Sequence, residues 1–453
     1  MKASSRWMMC GLVVFALVGA AARPAAGQEW AWRSLGDGID DFGYVWALTV
    51  YDNELIVGGQ FWSVDGISCH HIARWNGSAW QPLGSGMECY VYALAPYSGG
   101  LVAGGTFVAA GGVPCNYIAK WNGSSWAPLG SGTDWYVDAL TVYNGELIVG
   151  GCFTNAGGVQ CRHIARWNGS VWRPLGSGMY GTVRSLAVYN GELVAGGDFT
   201  TAGDVTCNYI ACWNGSAWRP LGSGMDDYVQ SVKTYNNTLI AGGGFTTAGG
   251  VTCNQIARWN GGAWQSLGSG MGGESVLSLA VYGSSLVAGG YFTTAGGVAC
   301  NYIAKWTGMS WSPLSTGTDG PVYAMTPYNG ELMAGGYFWH AGGVVCNSVA
   351  GWKMVNGACC YGDGSCHVLV PAQCEAAGGT YLGNWTVCDP NPCPLIKGDV
   401  NCDHAVDVDD VPYFVEALIG RYTGCDIYLA DMDVSGTIDG QDIQLFVNAV
   451  LAD

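Results

Sequence analysis

The sequence predicts an all-β fold, a seven-bladed β-propeller closed by the N-terminal strand, followed by a small disulfide-rich module and a small α-helical domain with paired EF-hand-like loops. Three observations lead to this prediction: a repeat of about 46 residues, a cluster of six cysteines and two acidic loops near the C-terminus. The expected boundaries are 1–27 for a signal peptide, 28–354 for the propeller, 355–394 for the cysteine-rich module and 395–453 for the calcium-binding domain.

Composition excludes some classes of partner. Of 453 residues, 49% are hydrophobic, which is enough for packed cores, and the net charge is −17. An acidic chain of this kind is not expected to bind nucleic acid or an anionic membrane surface. Lys2 and Arg6 precede a short apolar stretch and small residues, which is typical of an export signal rather than a membrane span. We therefore expect a secreted, extracellular or cell-surface-associated protein without a transmembrane span after cleavage.

A repeat predicts the blades. A tryptophan ends the run I-A-[RK]-W or its variants, and a second tryptophan opens W-x-P-L or its variants, seven times each. The best-defined unit has four strand signals, Val137 to Tyr143, Glu146 to Gly151, His163 to Trp167 and Trp172 to Leu175. Asn-Gly joins the first pair and the second pair, which predicts type I′ hairpins. Four antiparallel strands in such a unit are the size of a propeller blade, whereas the coils of a β-solenoid are shorter.

The ends of the repeat predict ring closure. The chain enters with a lone fourth-strand pattern, Trp30 to Leu35, and leaves with a third strand, Ser348 to Trp352. The N-terminal strand is therefore expected to complete the last blade, so that two otherwise open edges pair. Seven blades result.

The repeat motif, G-G-x-F-T-x-A-G-G-V-x-C-N-x-I-A-R-W-N-G-S-x-W-x-P-L-G-S-G-M, resembles the propeller repeat of bacterial exported proteins and the fungal cortical-marker family, and kelch blades are similar but looser. The resemblance covers roughly residues 30–354. It implies a binding or scaffolding role and brings no catalytic motif.

Departures from the repeat predict a ligand face. The links from the fourth strand to the next blade are rich in acids and aromatic rings, and two tryptophans replace the usual threonine after the blade phenylalanine. Such groups stack on sugar faces and accept hydroxyls, although solvated acids and half-buried rings are the simpler interpretation of each one. Arg184 and Asp138 occupy equivalent positions that could line the channel, as a salt bridge or solvated. The predicted ligand-binding residues are Trp62, Trp339, Trp135, Tyr136, Asp134, Asp226, Asp227 and Tyr228.

The cysteines fall into two groups. Seven repeat-equivalent cysteines are expected to be small buried residues because neighbouring blades hold them too far apart to pair. Cys152 and Cys161 of one blade are a candidate bridge. The six cysteines of residues 358–394 imply three disulfides whose connectivity the sequence leaves open.

Two acidic loops near the C-terminus predict two Ca²⁺ sites. Oxygen donors recur at the spacing of an EF-hand loop, and each loop runs into an apolar-periodic helix, Val411 to Ile419 and Ile443 to Leu451. Calcium is thus the expected cofactor, and no catalytic residue is predicted. The predicted calcium ligands are Asp399, Asn401, Asp403, Ala405 (carbonyl), Asp407 and Asp410 in the first loop, and Asp431, Asp433, Ser435, Thr437 (carbonyl), Asp439 and Asp442 in the second.

These paired loops resemble type I dockerins, and the resemblance implies a cohesin-like or cell-surface partner. Two features depart from that family: His404 stands where the bend favours glycine, and the usual Ser-Thr pair is absent. Cys402 and Cys425 are placed to staple the module. The sequence favours a secreted, non-enzymatic binding or scaffolding protein whose propeller recognises an extracellular ligand, possibly a glycan. The alternatives are a dockerin-tethered polysaccharide-degrading enzyme with a propeller catalytic domain, and a structural coat component.

Overall fold

The computed structural model describes residues 30–40, 43–361, 365–382, 386, 388, 400, 406–421, 429–430, 432 and 438–451. Residues 30–354 form one compact unit, and the described residues from 355 onward belong to a second. The predicted signal peptide lies outside the described residues. No helix in the described part of the chain has the length and apolar character needed to cross a membrane.

Repeated four-stranded antiparallel sheets build the first unit, and seven of them lie within the described residues 30–354. We number them by their order in the chain. The four strands are Tyr44–Tyr51, Glu54–Gln60, Ile72–Trp75 and Trp80–Pro82 in sheet 1; Val91–Tyr97, Gly100–Gly105, Ile118–Trp121 and Trp126–Pro128 in sheet 2; Val137–Tyr143, Glu146–Gly151, Ile164–Trp167 and Trp172–Pro174 in sheet 3; Val183–Tyr189, Glu192–Gly197, Ile210–Trp213 and Trp218–Pro220 in sheet 4; Val229–Tyr235, Thr238–Gly243, Ile256–Trp259 and Trp264–Ser266 in sheet 5; Met271–Tyr282, Ser285–Ala295, Ile303–Trp306 and Trp311–Pro313 in sheet 6; and Val322–Tyr328, Glu331–Gly336, Val349–Met354 and Trp30–Ser34 in sheet 7.

Short two-residue strands shape the corner between the second and third strand of each sheet. Each corner also forms a bridge with the link that enters its sheet, as between Thr133 and Ala156, so links and corners share one face. The corner strands are Ser63–Val64 with Ile67–Ser68, Ala109–Ala110 with Val113–Pro114, Asn155–Ala156 with Val159–Gln160, Thr201–Ala202 with Val205–Thr206, Thr247–Ala248 with Val251–Thr252, Val298–Ala299 with the end of the second strand of sheet 6, and His340–Ala341 with Val344–Val345.

The N-terminal strand completes sheet 7, as the sequence predicts. Trp30–Ser34 pairs antiparallel with Val349–Met354, with Trp30 opposite Met354 and Ser34 opposite Ala350. The first strand of every sheet contacts the first strands of both neighbouring sheets, and sheet 7 contacts sheet 1 in the same way. The prediction of an all-β propeller fold is thereby confirmed.

Tryptophan hydrogen bonds tie each sheet to the preceding one. In sheet 3, the buried Trp172 donates its indole N–H to the Leu129 carbonyl, and its ring packs on Trp167 with centroids 5.1 Å apart. At the closure, Trp32 donates in the same way to the Leu314 carbonyl at 3.0 Å. An indole N–H that is buried needs such a partner. The equivalent donors in the other sheets are Trp80, Trp126, Trp218, Trp264 and Trp311.

The Gly-Gly pair at the end of each second strand is required by close approach. In sheet 3, a Cβ on Gly150 would lie 2.5 Å from Cγ1 of Val183 in the next sheet, and one on Gly151 would strike the Tyr136 carbonyl oxygen. The opposing strand bulges here, because Val137 lies opposite Gly151 and Ala139 opposite Gly150, which leaves Asp138 unpaired between them. The glycines therefore allow both tight sheet packing and the bulge.

The two Asn-Gly turns of a blade differ, and the prediction that both are type I′ is half wrong. Asn144 and Gly145 both have positive φ, 51° and 78°, as a type I′ turn requires. At the second turn only Gly169 has positive φ. The Asn168 side-chain oxygen there accepts hydrogen bonds from the backbone N–H groups of Ser170 and Val171. This Asx turn is longer than a two-residue hairpin.

The propeller cysteines are free. Ten described cysteines carry no disulfide, among them all seven repeat-equivalent ones, which are buried as predicted. The candidate Cys152–Cys161 bridge is wrong, because the Cys152 thiol instead lies 3.1 Å from the Thr182 hydroxyl. The repeat-equivalent cysteines are Cys69, Cys115, Cys161, Cys207, Cys253, Cys300 and Cys346.

Disulfides hold the next segment. Its strands Gly357–Cys360, Cys366–Leu369 and Thr380–Tyr381 form one sheet, and the helix Pro371–Ala376 follows the second strand. Cys359 bonds to Cys374 and Cys366 to Cys388, and Cys360 is also disulfide-bonded. A segment with so little core depends on such cross-links.

Among the described residues of the C-terminal segment, two short α-helices are present. A 3-10 turn, Val408–Asp410, leads into Val411–Leu418, and the second helix is Gly440–Val450. The second helix begins three residues before the predicted Ile443, because Asp439 caps its N-terminus by accepting the Gln441 N–H. Phe414 and Phe446 stack with centroids 3.9 Å apart, which joins the two helices in one small core.

Candidate functional site

A β-bulge in the first strand of every sheet directs one side chain towards the propeller axis. The bulged residue stands between a fully buried valine and a small alanine or serine, as Asp138 stands between Val137 and Ala139. These side chains and the leucines below them line a central cavity of about 250 Å³. Bulges commonly re-aim side chains beside functional sites. The seven bulged residues are Trp46, Tyr92, Asp138, Arg184, Gln230, Leu277 and Tyr323.

Aromatic rings form one side of the opening of this central cavity, which we call the channel mouth. Tyr44 stacks on Tyr337 with centroids 4.4 Å apart, and the Trp46 ring meets Tyr92 edge-on at 5.1 Å. The hydroxyls of Tyr291 and Tyr323 are hydrogen-bonded at 2.7 Å. Burial, with a smaller contribution from the Asp138 charge, raises the pKa of Tyr92 to about 12. The Tyr92 phenol is therefore a neutral hydrogen-bonding group at ordinary pH.

The other side of the mouth is charged. Arg184 makes a bidentate ion pair with Asp198, with both N–O distances 2.7 Å, and its other nitrogen lies 3.4 Å from the Gln230 side-chain oxygen. The possibility of a salt bridge between Arg184 and Asp138 is not realised. Burial raises the pKa of the Asp138 carboxyl to about 6, the Arg184 charge opposes that rise, and the Asp198 charge adds to it.

Asp134 and Asp226 hold the corners of their own sheets. The Asp134 carboxylate accepts the backbone N–H groups of Thr154 and Asn155 at 2.8 and 2.9 Å, and both side chains also donate to it. The Asp226 carboxylate accepts hydrogen bonds from the backbone N–H and the hydroxyl of Thr246 and from the backbone N–H of Thr247. Although partial burial works to raise the pKa of each carboxyl, these hydrogen bonds lower it below its usual range. Both acids thus have an internal role, and their contact with a ligand stays a prediction.

The predicted aromatic residues in the links that enter sheets 3 and 5 lie beside the channel mouth. Trp135 stacks on Tyr136 at 4.6 Å, and both rings contact Tyr117. Asp227 accepts the backbone N–H of Tyr228, whose ring lies 5.7 Å below the Arg184 guanidinium carbon.

Trp62 and Trp339 lie on the same face, in the corners of sheets 1 and 7. They are 59% and 47% exposed, which is unusual for tryptophan. Trp62 contacts His71 at 4.9 Å, and Trp339 contacts Tyr337 at 6.4 Å. The prediction that ring closure makes their sheets neighbours agrees with the strand contacts between sheets 7 and 1.

The structure describes four of the predicted calcium ligands. Asp407 caps the 3-10 turn before the first helix and Asp439 caps the second helix. Their backbone N–H groups donate to Asp410 and Asp442 at 3.0 and 2.8 Å. The side chains of Asp410 and Asp442 are fully buried. Hard oxygen donors so placed suit Ca²⁺. Within the described ranges no group of three or more acidic, histidine or cysteine side chains could hold a metal.

The other predicted ligands and the Cys402–Cys425 pair lie outside the described residues. These ligands are Asp399, Asn401, Asp403, Ala405, Asp431, Asp433, Ser435 and Thr437. The two Ca²⁺ sites therefore stay a prediction.

One family model matches a short part of the chain and agrees with the propeller fold. A family model described as "Domain of unknown function (DUF5122) beta-propeller" matches residues 144–169, which run from the first turn of sheet 3 to its second. No curated protein matches the chain. Similar solved structures include the computationally designed Ika8 protein (16% identity, 71% of this chain and 99% of that one, TM-score 0.44) and the RRP9 WD40 repeats (15% identity, 71% and 97%, TM-score 0.49).

The sequence prediction missed most of the channel mouth. Of the seven bulged residues it considered only Asp138 and Arg184, and it gave them no ligand role. The signal is present in V-x-A-L, where x differs between blades while the flanking residues recur. Regular alternation of side chains along a strand gives no special role to the residue at x. The β-bulge, which the sequence does not show, directs that residue into the channel.

Proposed function

We propose that this protein is a secreted, non-enzymatic binding and scaffolding protein whose seven sheets form a kelch-like, seven-bladed propeller. Its channel mouth and the surrounding face recognise an extracellular ligand, for which a glycan is the best candidate. A dockerin-like C-terminal domain with two Ca²⁺ ions attaches the propeller to a cohesin-like or other cell-surface protein.

The dissimilarity of the bulged residues is the observation that supports ligand binding. Folding requires the same valine, glycine and tryptophan contacts in each blade, and the repeat supplies them. Folding gives no reason for tryptophan, aspartate, arginine and glutamine to occupy equivalent positions in one cavity. The aromatic rings on one side of the channel mouth match the apolar C–H face of a sugar, and the polar groups on the other side match its hydroxyls.

Glycan-array binding tests this role. We expect labelled protein to bind a subset of neutral glycans, and Trp46→Ala or Arg184→Ala to lose that binding. Met309→Ala serves as the control because Met309 is an almost fully exposed apolar residue, between the third and fourth strands of sheet 6. An array without hits, or hits that the channel variants leave unchanged, would remove the glycan proposal.

The buried carboxylates support the calcium proposal. Asp410 and Asp442 occupy the last position of their loops at the base of the two stacked helices. Calorimetry of the full chain should find two Ca²⁺ ions, and Asp442→Ala should bind one. A purified cohesin module should then be retained by the wild type with Ca²⁺ and released by chelator. Absence of Ca²⁺ binding would reject the docking role.

One observation favours the enzymatic alternative. Asp138, whose pKa is raised, lines the central cavity together with Arg184, and Asp198 is the ion-pair partner of that arginine. Glycoside hydrolysis uses one protonated and one ionised carboxyl. If this alternative holds, bound oligosaccharides are cleaved near pH 5 and Asp138→Asn abolishes cleavage while leaving binding intact. Binding without cleavage supports the non-enzymatic role.

A further inference from the structure

A continuous series of aromatic rings joins the two exposed tryptophans through the channel mouth. From Trp339 the series runs to Tyr337 at 6.4 Å, to Tyr44 at 4.4 Å and to Trp46 at 5.6 Å. It therefore begins in the corner of sheet 7 and reaches the channel in sheet 1.

The series continues beyond the channel into sheet 2 and back to the corner of sheet 1. Trp46 contacts Tyr90 at 5.5 Å, Tyr90 contacts His71 at 5.4 Å, and His71 contacts Trp62 at 4.9 Å. We name the rings of Trp339, Tyr337, Tyr44, Trp46, Tyr90 and Trp62 the aromatic track; His71, which joins Tyr90 to Trp62, is 1% exposed and is not part of the track. Its two ends are its most exposed members, as expected of a surface that a long ligand enters and leaves.

Polar groups accompany the track at its sheet 7 end. A groove of about 560 Å³ lies beside Trp339 and is also lined by Asp40, Ser63 and Asn347. These side chains supply a carboxylate, a hydroxyl and an amide, which are the groups that bind sugar hydroxyls. A ligand on Trp339 would thus find both a ring to stack on and hydrogen-bonding partners.

The charges around the track disfavour an anionic ligand. The cations that lie over aromatic rings in the described part of the chain are Lys120, Arg162 and Arg184, over Tyr97, Tyr180 and Tyr228, none of which belongs to the track. The net charge of −17 also repels polyanions.

We propose that the aromatic track binds a linear, neutral polysaccharide along its length, with one sugar at the channel mouth and others on Trp62 and Trp339. This inference rests on the proposed glycan-binding function and goes further, because it assigns several subsites and an extended, uncharged substrate. A binding site confined to the channel mouth would hold one terminal sugar, whereas only a chain of linked sugars could occupy the whole aromatic track.

Calorimetric titration with neutral oligosaccharides of increasing length tests the proposal. The probes are β-1,4-linked gluco-, xylo- and manno-oligosaccharides from two to six units, with heparin as the anionic comparison. We expect affinity to rise with length in at least one series, and no binding to heparin. Trp62→Ala and Trp339→Ala should each lower the affinity for the longest oligosaccharide about tenfold, which is the loss typical of an anchoring aromatic ring. The affinity for the disaccharide should stay unchanged.

Trp135→Ala is the matched control. Trp135 is 48% exposed on the same face, but its ring contacts are with Tyr117 and Tyr136, and no ring contact between described residues joins it to the track. Binding without length dependence, or equal losses in Trp135→Ala and Trp62→Ala, would overturn the track and leave the glycan-binding function standing. Failure of all the neutral oligosaccharides, or preference for heparin, would overturn the track, whereas a glycan array without hits would overturn the glycan-binding function as well.

Discussion

Ring closure by the N-terminal strand makes a quantitative prediction for Trp32. This side chain is 1% exposed, packs on Trp352 with centroids 5.2 Å apart, and donates its indole N–H to the Leu314 carbonyl. Removing a buried tryptophan costs about 3–5 kcal/mol. Leaving the Leu314 carbonyl without its partner contributes to that cost. We therefore expect Trp32→Ala to destabilise the propeller by about 4 kcal/mol.

The expected shift in Tm follows from the size of the unit. Unfolding entropy of about 2.1 cal/mol/K per residue over residues 30–354 amounts to roughly 0.7 kcal/mol/K, so a loss of about 4 kcal/mol lowers Tm by about 6 °C. Differential scanning calorimetry measures this shift. Trp172→Ala is the matched control because Trp172 makes the same ring contact and the same hydrogen bond inside sheet 3.

Amide exchange separates closure from ordinary packing. Trp32 lies on a strand that ends the described propeller, so weakening it lets Trp30–Ser34 detach without opening the other sheets, whereas Trp172 lies in the middle of the chain. Trp32→Ala should therefore speed exchange in Val349–Met354, and Trp172→Ala should not. An unchanged Tm in Trp32→Ala, or identical exchange in the two variants, would refute closure by this strand.

Three further predictions concern single groups. The pKa of Asp138 is about 6 in the folded protein and 3.8 in the unfolded chain, so between these pH values the folded state keeps a proton that the unfolded chain releases. The free energy of unfolding therefore falls as pH rises from about 4 to above 6. Asp138→Asn should raise Tm at pH 7, by the equivalent of about 3 kcal/mol, and should leave Tm unchanged at pH 4. Alkylation of the native protein near pH 8 should label the partly exposed Cys89 and Cys152 before any repeat-equivalent cysteine, whose buried thiols have raised pKa values, as mass spectrometry would show. Phe414→Ala should weaken Ca²⁺ binding without moving the propeller Tm, since the ring packs on Phe446; a shift of the propeller transition would contradict this.

The repeat made the scaffold predictable from sequence. The recurring tryptophans, glycines and Asn-Gly turns each have one local task, and the strand bounds of sheet 3 differ from the expected ones by a single residue at His163 and at Leu175. The second Asn-Gly turn was misread because Asn168 uses its side chain, not a positive φ, to close the turn. That choice depends on the loop length, which the dipeptide does not encode.

The site was harder to predict because it is made between blades. The ion pair of Arg184 joins the first strand of sheet 4 to Asp198 at the end of its second strand, while the equivalence of Asp138 and Arg184 suggested a different pair. The structure decides this, because the Arg184 guanidinium pairs with Asp198 of its own sheet and lies 3.4 Å from the Gln230 side-chain oxygen of the next sheet, and makes no ion pair with Asp138. Sequence shows which positions vary, and the fold shows which of them meet.

Closure and recognition are connected through one contact. Tyr44 begins sheet 1 and Tyr337 follows the second strand of sheet 7, and their stack crosses the junction that the N-terminal strand closes. The aromatic track thus exists only in the closed ring, because opening the junction would separate these two rings. A ligand that spans the junction binds the closed state alone, and by linkage it stabilises that state by an amount that grows with the ratio of ligand concentration to Kd. The junction that the N-terminal strand closes therefore lies under the surface that we propose as the recognition site, which gives a bound glycan a direct physical effect on the stability of the fold.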